Sequence, residues 1–160
     1  MENITITATF TAYPSAADLP EYAALLMEQA VAARKNAYAP YSKFQVGAAL
    51  LLENGKVVVG SNQENAAYPS GLCAERVAIF QAGAAYPGIK IIRMAITAAS
   101  QQQTTAAPVP PCGACRQSIA EYELRQDTPI ELWFMGETGK VYCSASLKNL
   151  LPMVFGSEYL

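Results

Sequence analysis

Apolar residues gather into short, nearly unbroken runs at Phe44–Leu52, Ile89–Thr97 and Pro129–Phe134, with a briefer one at Val141–Cys143. Continuous runs, rather than strict alternation, are the pattern of strands covered on both faces. Glu53-Asn54-Gly55-Lys56 holds an Asn-Gly turn, which predicts a hairpin returning through Val57–Val59. Helical spacing occupies the intervals. Leu25, Leu26, Val31 and Ala32 suit a helix to about Asn36, with Asp18 as its expected cap and Pro20 near its first turn. Pro40 closes that region. Cys73–Ala84 is rich in Ala and stops at Pro87-Gly88; Cys112–Leu124 starts after two prolines; Ser146–Leu151 predicts a short last helix. Met1–Pro14 alternates Ile and Thr and reads as a short strand or a loose arm. The order helix, hairpin, helix, strand, helix, strand predicts an α/β layered fold, one mixed sheet of about five strands flanked by helices. It is expected to form one domain over residues 1–160, with 1–19 as an N-terminal arm.

Composition narrows the class. A chain of 160 residues is the size of one ordinary domain. Hydrophobic residues at 52% and charged residues at 15% exclude a disordered chain. A net charge of −2 gives no basic footprint for nucleic acid. No apolar stretch approaches the ~20 residues of a membrane span, and Met1–Tyr13 has no basic start followed by an apolar core. The expectation is a cytoplasmic protein with reduced thiols and no membrane partner.

The chain contains no histidine and four cysteines, Cys73, Cys112, Cys115 and Cys143. Ser-His and Cys-His nucleophile pairs are therefore excluded, as is any zinc site built on imidazole. Pro111-Cys112-Gly113-Ala114-Cys115 is a C-x-x-C at a predicted helix start, and Cys73 opens another helix. Helix N-termini carry about +0.5 charge and favour thiolate. Three thiolates at two such ends make a candidate zinc site with a fourth position left for water. Glu75 follows Cys73 by two residues, close enough in a first turn to shuttle protons beside the metal. Two other readings stay open at this point. A C-x-x-C also suits a dithiol redox pair, and Cys143 as a fourth ligand would make a structural zinc module.

Cys73-Ala74-Glu75-Arg76 followed by Pro111-Cys112-Gly113-Ala114-Cys115-Arg116-Gln117 resembles the zinc motif of the cytidine deaminase family. Tyr41–Leu50 resembles the family's first-strand motif, Asn62–Tyr68 its ribose-binding motif, and Leu150-Leu151-Pro152 with Phe155 its C-terminal segment. The resemblance implies the three-layer α/β/α fold of that family and a homotetramer. It implies one Zn²⁺ per subunit on Cys73, Cys112 and Cys115, hydroxide generated there attacking C4 of cytosine, and Glu75 as the proton shuttle. Cytidine or deoxycytidine would give uridine or deoxyuridine and ammonia, in pyrimidine salvage. By the same resemblance, Asn62 and Glu64 hold ribose hydroxyls. Phe44 and Phe155 flank the base, Ala74 offers its backbone to the cytosine edge, and Arg76 bonds the ligand sulfurs and restores the acidity of the zinc. A carboxylate at Glu64 would repel a phosphate, so free nucleosides are expected rather than nucleotides or polynucleotides. A relative acting on a nucleoside analogue such as blasticidin S is the nearest alternative.

Overall fold

The computed structural model describes residues 1–160. Six strands form one sheet: β1 (Thr11–Tyr13), β2 (Phe44–Leu52), β3 (Val57–Ser61), β4 (Ile91–Ser100), β5 (Glu131–Met135) and β6 (Val141–Ser144). Their spatial order is β1-β6-β5-β4-β2-β3. Only β4 and β5 run parallel; the other neighbours are antiparallel. Three helices complete the fold, α1 (Glu21–Arg34), α2 (Ala74–Ala85) and α3 (Gly113–Arg125).

The unbroken apolar runs have the cause their pattern implied. Along β2, β4 and β5, Leu50, Met94, Ile96, Leu132 and Phe134 enter a core shared with Ala78, Ile79 and Ile119 of α2 and α3. The intervening Ala49, Ala95, Trp133 and Met135 enter a second core with Leu26, Met27 and Ala30 of α1. Both faces of β2, β4 and β5 are thus covered, and the layers are α1, sheet, α2 with α3. Each large side chain so buried contributes about 1.5–3 kcal/mol. On α1 the buried Ala23, Leu26, Met27, Ala30 and Ala33 keep helical spacing, so one stripe faces the sheet.

Three expectations change. The arm supplies a sixth strand: β1 pairs with β6, Thr11 opposite Cys143, and Tyr13 packs on Trp133 with ring centroids 5.3 Å apart. Asp18 does not cap α1. It lies in a 3₁₀ turn capped by Ser15, whose hydroxyl donates to Asp18 Oδ2 at 2.7 Å. Pro20 occupies the N-cap of α1; its missing N–H is no loss at a helix start. The expected last helix is a single 3₁₀ turn, Leu147–Asn149.

The topology gathers loops at one end of the sheet. β2 starts where β4 ends, Phe44 opposite Ser100, and β3 ends opposite Gly47. The chain leaves β3 into the loop that precedes α2, and leaves β4 into the loop that precedes α3. Both helix N-termini therefore open beside the start of β2.

Candidate active site

Cys73 is the N-cap of α2 and Cys112 the N-cap of α3. Neither sulfur makes a capping hydrogen bond to its helix, so both are free to face outward from the helix ends. Cys115 sits one turn into α3 and is fully buried. The Sγ atoms of Cys73 and Cys112 are 3.8 Å apart, and those of Cys112 and Cys115 are 3.5 Å apart. All three lie within 4.8 Å of one another. Tetrahedral bonds of ~2.3 Å to zinc place sulfurs about 3.8 Å apart, so the cluster fits that ion as it stands. A disulfide needs sulfurs at ~2.05 Å, and all four cysteines are free.

Glu75 lies in the first turn of α2 and is 4% exposed. Its Oε2 has no hydrogen-bond partner although it is buried. Leaving such an oxygen unmatched costs about 1–3 kcal/mol, which marks a position meant for a proton or a ligand. Burial, reinforced by the charge of Cys73, pushes the carboxyl up to about 7. Hydrogen bonding from Cys115 pulls the Cys73 thiol down to about 5, while the same contact and burial push Cys115 up. Burial works against the charge of Arg76, but hydrogen bonding and charge attraction to the Cys73 and Cys115 sulfurs together outweigh it and raise its pKa.

A cleft of about 780 Å³ opens onto this cluster, a size suited to a small organic ligand. Phe44, Asn62, Glu64, Cys73, Glu75, Arg76 and Cys112 all line it. Asn62 is largely committed to the strand behind it. Its Oδ1 accepts from Val46 N at 2.7 Å and its Nδ2 donates to Phe44 O at 2.9 Å. Glu64 accepts from Tyr41 N at 2.9 Å, from Ser42 N at 3.3 Å and from the Ser42 hydroxyl. These bonds, the hydroxyl first, hold its carboxyl below the usual range.

Two expected residues have side chains that do not line the cleft. The Ala74 side chain is buried in the core beneath α2, while the role expected of Ala74 belongs to its backbone. Phe155 is exposed and stacks on Tyr159 at 5.7 Å, with its carbonyl accepting from Gln117 Nε2 at 2.8 Å. Cys143 stays outside the sulfur cluster. It pairs with Trp133 across β5 and packs on the α1 side of the sheet, which removes the fourth ligand a closed structural site would require. Val109 and Pro110, close before Cys112 in the chain, line the cleft as well; that closeness to a ligand cysteine is the sequence signal for them.

The zinc-binding region of cytidine and deoxycytidylate deaminases matches residues 20–127. A cytidine deaminase of Halalkalibacterium halodurans is 41% identical over 134 residues, covering 84% of this chain and 94% of that protein. One of Sporosarcina psychrophila is 47% identical over 135 residues, covering 84% and 92%. The crystal structure of a cytidine deaminase from Burkholderia pseudomallei superposes with a TM-score of 0.72 at 40% identity, over 86% of this chain and all of that one. With three sulfurs at zinc spacing, an orphaned acid beside them and these relatives, the chain belongs to the cytidine and deoxycytidylate deaminase family and is a zinc-binding protein.

Proposed function

We propose that this protein hydrolyses cytidine and deoxycytidine to uridine and deoxyuridine with release of ammonia. The observation that carries the reading is the partnerless Oε2 of Glu75, buried beside the three sulfurs at the base of the cleft. Cys73, Cys112 and Cys115 would hold one Zn²⁺, which when bound supplies the Lewis acidity that makes water nucleophilic near neutral pH. Glu75 then does the proton work. Ionised, its Oε2 accepts the proton that the attacking water gives up; protonated, it delivers that proton to the cytosine as the C4–N bond breaks. Water enters, ammonia leaves, and the carboxylate ends as it began. A carboxyl brought to about 7 by burial suits this exchange, because general acid–base catalysis is most efficient near the working pH. Arg76, attracted by the Cys73 and Cys115 sulfurs, would offset the net negative charge that three thiolates leave around one Zn²⁺.

Phe44 forms a wall for the base, and Asn62 holds the start of β2 so that this wall stays in place. Glu64 faces the cleft as an ionised acceptor, which suits a sugar hydroxyl and disfavours a phosphate. Free nucleosides are therefore the proposed substrates. The chain is proposed to act as one domain and to assemble as a homotetramer, with Phe155 at an interface rather than in its own cleft. Ammonia release from cytidine by zinc-loaded protein tests the reading, with Glu75→Gln beside it. The variant should keep zinc and lose about 10²–10⁴ in kcat. Full activity in Glu75→Gln would remove the basis of the mechanism.

A further inference from the structure

Ser42 joins two walls of the cleft. Its hydroxyl donates to Glu64 Oε1 and accepts from Phe44 N at 3.0 Å. Lys43, between them, holds a left-handed backbone at φ 55°, a conformation uncommon for a residue with a side chain. That turn brings the Phe44 N–H back to Ser42 Oγ. The loop is fixed on both sides, with Lys43 N donating to Ala39 O at 3.2 Å and Lys43 O accepting from Gln101 N at 2.8 Å. Glu64 Oε2 is held separately by the amides of Tyr41 and Ser42. A carboxylate offers about four lone-pair sites. Three are taken by these donors, which leaves one acceptor position at the cleft.

We infer that Ser42 is a positioning residue for sugar recognition: its hydroxyl orients Glu64 so that the one remaining acceptor site takes a sugar hydroxyl. The inference rests on the proposed nucleoside reading and assigns a role to a residue that touches neither zinc nor the reacting atoms. Removing the hydroxyl frees Oε1 and leaves only the two amide bonds at Oε2 to set the angle of the carboxylate. The loss falls on binding of a sugar that presents the hydroxyl and spares the chemistry at C4.

The test compares cytidine with 3′-deoxycytidine, using zinc-loaded parent protein, Ser42→Ala, Ser42→Thr, Glu64→Ala and the double variant, each checked for zinc content. Ser42→Ala should raise KM for cytidine about tenfold, the scale of one charge-assisted hydrogen bond. Its kcat should stay within about twofold, and KM for 3′-deoxycytidine should not move, because uniform binding alone is lost. Ser42→Thr, which keeps the donor, should restore the parent KM, and the double variant should be no worse than Glu64→Ala. If Ser42→Ala does not hold zinc, Ser42→Gly, which likewise lacks the donor, carries the same comparison. An unchanged KM, or an equal rise for both nucleosides, overturns the inference. A parent that deaminates both nucleosides equally well overturns it while leaving the deaminase reading intact. A parent that deaminates neither overturns both.

Discussion

Cys73 and Cys143 are the same chemical group with opposite surroundings. Cys73 caps a helix beside two other thiols and is drawn toward thiolate at about 5. Cys143 lies in β6 between Thr11 and Trp133, where burial, and then the charge of Glu131, push it up to about 12. The thiolate is the reactive form. At pH 8 a thiol with its pKa near 12 carries roughly a thousandfold less thiolate than one near 9. Iodoacetamide at pH 8 should therefore spare Cys143 in the folded protein and label it fast once the chain is unfolded, as mass spectrometry of the peptides will report. Cys143→Ser should keep its zinc, whereas Cys112→Ser should lose it. At this scale residue type alone was a poor guide; motif spacing marked Cys73, Cys112 and Cys115, and position in the fold sets Cys143 apart from them.

At the scale of elements, the site depends on how closely α2 lies on the sheet. Gly60 in β3 faces that helix, and a Cβ placed on it would stand 2.5 Å from Ala74 O and 2.6 Å from Ala78 N. Backbone atoms cannot yield as a side-chain tip does, so the helix itself must shift. Gly60→Ala is predicted to destabilise the protein by about 1–3 kcal/mol and to weaken zinc binding at least severalfold, because Cys73 and Glu75 ride on the displaced turn. Urea unfolding and zinc titration will separate the two effects. A stability loss with unchanged zinc affinity would mean that the N-terminal turn of α2 moves independently of its middle. Helix extents followed from breakers and caps in the sequence, as with α2 ending before Pro87-Gly88. The cap of α1 did not, because Ser15 claims Asp18 in a separate turn.

Across the whole molecule, the three sulfurs join segments that are far apart in the chain. Cys73 enters from the loop after β3, Cys112 from the loop after β4, and Cys115 from the first turn of α3. A metal bound there ties α2 to α3 only in the folded state, so it stabilises the fold by mass action. At free zinc a hundredfold above its Kd this amounts to about 2.7 kcal/mol. For a chain of this size that is about 5–10 °C in Tm. Chelation should lower Tm by this amount and added zinc should restore it, as calorimetry will show; no shift would mean the cluster does not hold the ion in the native state. The arm belongs to this scale too. β1 covers the outer edge of β6, and Phe10 meets Phe134 edge-on at 6.3 Å. Deleting residues 1–13 should expose that strand edge and promote self-association, measurable by light scattering.

The sequence alone determined β2 to β6, the three α-helices and the chemical class of the site. Apolar run length and breakers are local properties, and three cysteines with Glu75 at two helix starts point to metal chemistry without histidine. It did not determine that the arm would become a sixth strand, or that Asn62 would brace β2. Nor did it show that Ser42 would reach Glu64, 22 positions away. Each of these rests on contacts between segments remote in the chain. Their hydrogen-bond partners and burial exist only once β2, β3 and β4 have been brought side by side, so only the tertiary structure could decide them.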